Sequence, residues 1–366
     1  MAIVTTERHP DLPPPVSQTG VVGWLRENLF SSWLNTVLTL VSIYVIWQAA
    51  SSAVSWAFIN ANFVGETKAD CTGTGACWVF IKARFGQNMY GFYPEPERWR
   101  VNLGYVMGAV GIFLVLSDQV KNKKWPAIFL FGVYPVLCYF LFYGGFGLEV
   151  IETSQWGGLF LTLVLASVSI FVALPLGIVL ALGRRSEMPV IRMICVGFIE
   201  LVRSVPLISV LFMASVMLPL FLPDGQNFDK LVRALVGMSL FSAAYMAEVV
   251  RGGLQAIPKG QMEAANSLGL GFWQAMGFII LPQALKIAIP SIVNTFIGLF
   301  KDTTLVLIIG LLDLLSIVKG GTTDKNWLGL ATEGYVFVAA VFWVFCFSMS
   351  RYSIWLENKL HTGHKR

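Results

Sequence analysis

Long apolar runs, repeated along the chain and separated by short polar stretches, restrict this sequence to one kind of fold. About eight of them approach the roughly 20 residues that a helix needs to cross a bilayer. They lie at 33–58, 103–116, 125–143, 157–182, 193–221, 231–250, 285–318 and 335–355. The second is short, and the seventh is long and interrupted by Lys301-Asp302, so it counts as one broken span. In hydrocarbon every backbone N–H and C=O must find a partner inside the segment, and helices meet that demand. The expectation is an all-α polytopic membrane protein with about eight transmembrane helices. Apolar residues make up 56% of the chain and charged residues 13%, against about 25% charge in a soluble domain.

Orientation follows from the basic residues of the short loops, which stay on the cytoplasmic side. Lys121, Lys123 and Lys124 follow the second run, and Arg184, Arg185 and Arg192 follow the fourth. Arg351, Lys359, Lys365 and Arg366 follow the eighth. Glu149 and Glu152 after the third run, and Asp224 after the fifth, suit the outside. Both termini are then cytoplasmic. The net charge of +5 reports these loops and not an affinity for nucleic acid.

The start of the chain is polar and carries a Pro triplet at Pro13, Pro14 and Pro15. It reads as an uncleaved, disordered leader. The loop 60–100 is expected outside, although its basic residues Lys68, Lys82, Arg84, Arg98 and Arg100 run against the charge rule. Long loops obey that rule poorly. This loop holds Cys71 and Cys77, which could bridge in an oxidising compartment or stand as two free thiols in a glycine-rich turn. Cys138, Cys195 and Cys346 lie in apolar runs, where packing is the default role.

One stretch fits neither span nor linker: KGQMEAANSLGLGFWQAMGFIILPQAL, residues 259–285. Pro258 can open a helix, because its missing N–H is not needed in a first turn. Residues 261–268 suit a short helix stopped by Gly269 and Gly271. Residues 272–280 suit a second, amphipathic helix limited by Pro282. An amphipathic helix resting on lipid is the plain reading. Lys is scarce here, however, and the small Ala264 and Ala265 suit close approach of another protein surface.

Glu263, Ala264, Ala265, Gly269, Ile279, Leu281 and Pro282 have the spacing of the EAA motif. In this the chain resembles the membrane subunits of ABC importers. The segments GLFLTLVLASVSIFVALPLGIVLALGRRS, FIELVRSVPLISVLF and LPQALKIAIPSIVNTFIGLFKDTTLVLIIGLLDL resemble the polar amino-acid permease group, the general L-amino-acid type most of all. The resemblance implies a type I ABC importer permease core with three extra N-terminal spans. It divides the chain into a cytoplasmic leader (1–32), an extension with three spans and an external loop (33–156), a five-span core (157–356) and a cytoplasmic tail (357–366).

It further implies that Glu263, Ala264, Ala265, Gly269, Leu281 and Pro282 form the coupling loop of a bacterial inner-membrane importer for L-amino acids. The implied partners are a cytoplasmic ABC ATPase dimer, a second permease that is related but not identical, an external amino-acid-binding protein and membrane lipid. This chain itself would bind no cofactor, with ATP and Mg on the ATPase. An osmolyte or short peptide is the alternative cargo, since the EAA loop alone does not select it.

Ionisable groups at membrane depth are costly and point to function by default. Glu200 and Arg203 are spaced for an ion pair within one helix. Glu248 and Arg251 share that spacing, with Arg251 as a snorkelling anchor. Pro206 should break the fifth run and free a carbonyl. Glu200 or Asp313 could hold the ammonium of an amino acid, and Arg203 or a helix N-terminus its carboxylate. Asp302, Thr303 and Thr304 read as caps of a new helix after the break in the seventh run.

Other classes fit less well. There is no G-x-x-x-x-G-K-[ST] phosphate loop, so no ATPase site is expected in this chain. The three histidines, His9, His361 and His364, lie in the tails, which leaves no metal-ligand cluster and no dyad for an intramembrane enzyme. A secondary carrier should carry paired inverted repeats, and no repeat is evident.

Overall fold

The computed structural model of the protein describes residues 20–360, apart from 118, 222 and 224–227. The leader up to residue 19, Asp224, and the tail 361–366 with His361 and His364 lie outside the described residues. Backbone contacts divide the chain into two units, Met1–Val79 and Phe80–Arg366.

The first unit holds α1 (Gly20–Asn28) and α2 (Trp33–Val54), and α2 is continued by a π turn at Ser55–Ile59. Ser32 caps α2, its hydroxyl accepting the Asn35 N–H. The helix is apolar all round and buries none of its residues, as a lipid-facing span needs no buried stripe. Beyond it the chain folds back on itself. Asn62 N–H donates to Ala76 O, Trp78 N–H to Asn62 O, and the Trp78 indole to Ala57 O. Cys71 and Cys77 are bonded, with their Cα atoms 5.7 Å apart.

From Val79 the chain continues through the short helices α3 (Val79–Ala83) and α4 (Phe85–Tyr90), then α5 (Arg98–Leu116). The second span is therefore longer than its apolar run, 22 residues from Glu95 to Leu116. Arg100 makes this possible. It is buried, its Nε lies 2.7 Å from the Glu97 carboxylate, and its Nη1 donates to Glu149 O at 2.7 Å. A paired guanidinium can be taken up where a bare one cannot.

The third span is α6 (Lys124–Ile128), a π turn at Phe129–Val133 and α7 (Tyr134–Tyr143). The core follows as α8 (Gly158–Arg184), α9 (Pro189–Ser204), α10 (Leu207–Phe212), α11 (Lys230–Gln255), α12 (Lys259–Ser267), α13 (Phe272–Ala275), α14 (Leu281–Asp302), α15 (Leu314–Thr322) and α16 (Ala331–Leu360). Among the described residues, seven helical spans are long and apolar enough to cross a membrane, or eight if the bent pair Pro189–Ser204 and Leu207–Phe221 counts as one.

One local expectation holds and two change. The fifth run is two helices that meet at 104°, because Pro206 and the extended Val205 before it cannot continue α9. Pro282 does not limit the second loop helix. A π turn at Met276–Ile280 carries the helix past it, with Leu281 N–H reaching back to Met276 O, and one span runs Phe272–Ile309. The same device, a π turn at Phe129–Val133, precedes Pro135. Asp302, Thr303 and Thr304 cap no new helix. The two threonine hydroxyls donate back to Phe300 O and Lys301 O, and the helix tightens into a 3-10 run that ends at Gly310.

The second and third spans pack against the helices that follow residue 156. One apolar cluster joins Val101 of α5, Cys138 and Phe142 of α7, Phe160, Leu161 and Leu165 of α8, Leu207 and Leu211 of α10, and Met238 of α11. Arg84 pairs with Asp324 at 3.1 Å between α15 and α16. The Asn326 backbone N–H and that guanidinium hold the Asp324 carboxyl below the usual carboxylate range. Two of the three extra spans thus belong to the packing of the core.

A second cluster fills the other end of the bundle: Ala181 of α8, Ile199 of α9, Met246 and Val250 of α11, and Ala284 and Ala288 of α14. Small side chains let these helices close up. A Cβ on Gly253 would stand 2.4 Å from Ala284 O, so only glycine admits this α11–α14 approach.

Candidate functional site

The stretch after α11 forms a helix–turn–helix. Pro258 precedes α12, and the turn after it is built by backbone bonds. Gly269 N–H donates to Asn266 O and Leu270 N–H to Ala265 O, the two bonds of a Schellman cap. Gly269 sits at φ +75°, where a side chain on an L-residue is strained. The Gln274 carboxamide accepts the Gly271 N–H and starts α13. Gln283 donates to Gln261 at 3.3 Å and to Ile279 O at 2.9 Å, which ties α12 to the base of α14.

The predicted residues of this loop divide into two groups. Ala265 is buried against the bundle, and Leu281 and Pro282 lie where the π turn enters α14. Glu263, Ala264 and Gly269 are exposed. Beside them the apolar Leu268 is 77% exposed and Trp273 74% exposed. Two large apolar side chains thus stand exposed in an ordered, capped turn. Leu268 and Trp273 were not singled out from the sequence, although both fall inside the motif.

Above the loop, charged residues join three helices. Glu248 of α11 lies 2.6 Å from Arg184 of α8, 2.7 Å from Arg251 of its own helix and 3.7 Å from Arg203 of α9. Its side chain is 15% exposed. Glu200 of α9 bonds Arg184 at 2.9 Å and is 56% exposed. The expected Glu200–Arg203 pair is replaced by these contacts, because Arg184 approaches Glu200 while Arg203 turns toward Glu248 and the Tyr245 ring. The Glu248–Arg251 pair is formed as expected. Arg184 is the member that sequence reading passed over, as a loop charge. Its signal was a cation ending an apolar helix.

Asp313 lies at the other end of α8. Gly157 and Gly158 bridge Leu312 and Asp313, and the Leu314 N–H donates to the Thr162 hydroxyl. Asp313 is fully buried and caps α15, accepting from the Leu315 N–H, the Ser316 N–H and the Ser316 hydroxyl. The 27 residues of α8 separate this cap from the Glu200–Arg184 pair, about 40 Å at 1.5 Å per residue. Glu200 and Asp313 therefore cannot hold one amino acid between them.

The family model described as binding-protein-dependent transport system inner membrane component matches residues 173–362. The inner membrane amino-acid ABC transporter permease protein YhdY of Escherichia coli is 56% identical to this chain, over 97% of this chain and 97% of its own length. The glutamate/glutamine/aspartate/asparagine transport system permease protein BztC of Rhodobacter capsulatus is 40% identical, over 100% of this chain and 99% of its own. The probable amino-acid ABC transporter permease protein YckA of Bacillus subtilis is 34% identical over 55% of this chain, which takes up 87% of YckA. A shorter relative thus matches about half of this chain with nearly all of itself.

Proposed function

The chain belongs to the family of binding-protein-dependent transport system inner membrane components, and from that premise we propose how this permease subunit of an amino-acid ABC importer couples and assembles. The loop α12–α13 is the surface on which a separate ATPase acts. The observation that carries this is the capped turn itself, which holds Glu263, Leu268 and Trp273 outward on a rigid base.

A push on this loop would move spans. Trp273 lies in the first turn of a helix that continues without a stop through 38 residues to Ile309. Gln261–Gln283 and the Gly253–Ala284 contact bind α12 and α11 to the same helix. Glu248 links α11 to α8 and α9. Closure of the ATPases on ATP would then shift α14 and α11 as a unit against a second permease. Glu200 and Arg203, beside the α9–α10 bend, are the pathway candidates at this end. Asp313 is assigned to the opposite end of the core as a helix cap.

We further assign the loop and both termini to the cytoplasm, and Cys71 and Cys77 to the outside, from the distribution of Lys and Arg. After reduction, an impermeant maleimide added to spheroplasts should label Cys71 and Cys77 and spare a cysteine placed at 263. Labelling at 263 from outside would overturn the orientation. Assembly has its own test. The chain extracted from native membrane should bring down an ATPase and a second, related permease. A chain isolated at full yield with neither, under conditions that keep it folded, would contradict the coupling role.

A further inference from the structure

A cavity of about 420 Å³ opens where α8, α9 and α11 end near the loop, lined by Arg184, Arg185, Arg192, Val196, Arg251 and Gln255. With Arg203, five arginines meet two carboxylates, Glu200 and Glu248, and the cluster keeps a net charge of +3. Glu248 is already shared by three guanidinium groups and Glu200 by one. Arg185 has only the Leu254 carbonyl, and Arg192 pairs with no carboxylate among the described residues. Glu187, exposed in the connecting turn, does not line the cavity.

The cavity sits at helix ends and, on the orientation proposed above, where spans leave hydrocarbon on the cytoplasmic side. Arg184 ends α8, Arg251 is in the last two turns of α11, and Arg192 is in the first turn of α9. Arg192 is flanked on its own helix by the exposed apolar Val190, Ile191, Met193 and Ile194. Guanidinium forks suit phosphate oxygens. A dissolved anion needs only the arginines. A phosphate that carries acyl chains also finds the apolar flank of α9. Basic pockets between spans at the cytoplasmic boundary bind anionic headgroups in this way. We infer that this cavity binds the phosphate headgroup of an anionic phospholipid, with Arg185 and Arg192 supplying the unshared donors.

The purified complex, reconstituted in nanodiscs of phosphatidylcholine with phosphatidylglycerol and then extracted, should retain phosphatidylglycerol above its share of the bilayer. The pair Arg185→Gln and Arg192→Gln should bind it roughly 25-fold more weakly, about fivefold for each arginine. Both side chains are exposed, so this variant should melt with the wild type in pure phosphatidylcholine. Arg192→Lys, which keeps the charge, should retain most of the lipid. Equal retention by the double variant and the wild type would overturn the assignment. So would a wild type that is stabilised by inorganic phosphate in detergent and gains nothing from phosphatidylglycerol, since the cavity would then take a dissolved anion.

Discussion

Gly269→Val should lower ATP-driven uptake by the reconstituted importer roughly tenfold while the chain still inserts and assembles. The residue sits at φ +75° with nothing within 4 Å of where a Cβ would stand. The added side chain thus meets no neighbour, and the cost is the backbone conformation alone. A left-handed conformation costs an ordinary L-residue about 1–2 kcal/mol, and a β-branched one more. That is enough to open the cap that joins Gly269 to Asn266 and Leu270 to Ala265. With the cap open, Glu263, Leu268 and Trp273 lose their fixed relation. Gly269→Asn supplies the control, because asparagine tolerates this region and should recover much of the uptake. ATP hydrolysis without uptake is the expected signature of Gly269→Val in proteoliposomes, and of the charge reversal Glu263→Lys. Normal uptake by both would remove the loop from coupling.

Glu248→Gln should destabilise the bundle clearly more than Glu200→Gln does. The glutamate is 15% exposed and stands among Arg184, Arg203 and Arg251. Removing it leaves three guanidinium groups, themselves 24–34% exposed, without their shared counter-charge. Breaking a fully buried pair costs about 3–5 kcal/mol, and screening by water at the partly exposed arginines places this loss below that range. Glu200→Gln is the comparison, since that side chain is 56% exposed. An exposed pair contributes about 0–1 kcal/mol. Thermal melts of the purified complex should put Glu248→Gln several degrees below the wild type and Glu200→Gln close to it. Adding Arg251→Gln to Glu248→Gln should restore part of the loss. If Glu248→Gln melts with the wild type, the cluster does not hold α8, α9 and α11 together.

The sequence was most readable where one local property decides the outcome. Apolar run length located the spans, the first of them starting at Trp33 as α2 does. The glycine after Leu268 marked the turn, since a backbone at positive φ asks for glycine whatever lies around it. Pro206 broke its helix because neither it nor the residue before it can continue one. Pro282 misled for the opposite reason. A prolyl ring removes one hydrogen bond, but a π turn before it lets the helix pass, and a sequence pattern does not reveal that extra residue in the turn.

By itself, then, the sequence determined an all-helical membrane protein with an ordered EAA loop, because hydrophobic length and glycine conformation are properties of short segments. It did not determine which charges meet. Spacing suggested Glu200 with Arg203, while the structure brings Arg184 to Glu200 and gathers three arginines on Glu248. The i,i+3 rule sees only one helix, and these groups come from three. Asp313 and Glu200 looked alike as buried carboxylates in apolar runs. Only tertiary structure set them at opposite ends of α8, one capping α15 and the other facing outward. It also joined two of the extra spans to the core through Val101, Phe142 and Phe160. Apolar packing has no direction of its own, and its partners are chosen by where the whole chain brings each face.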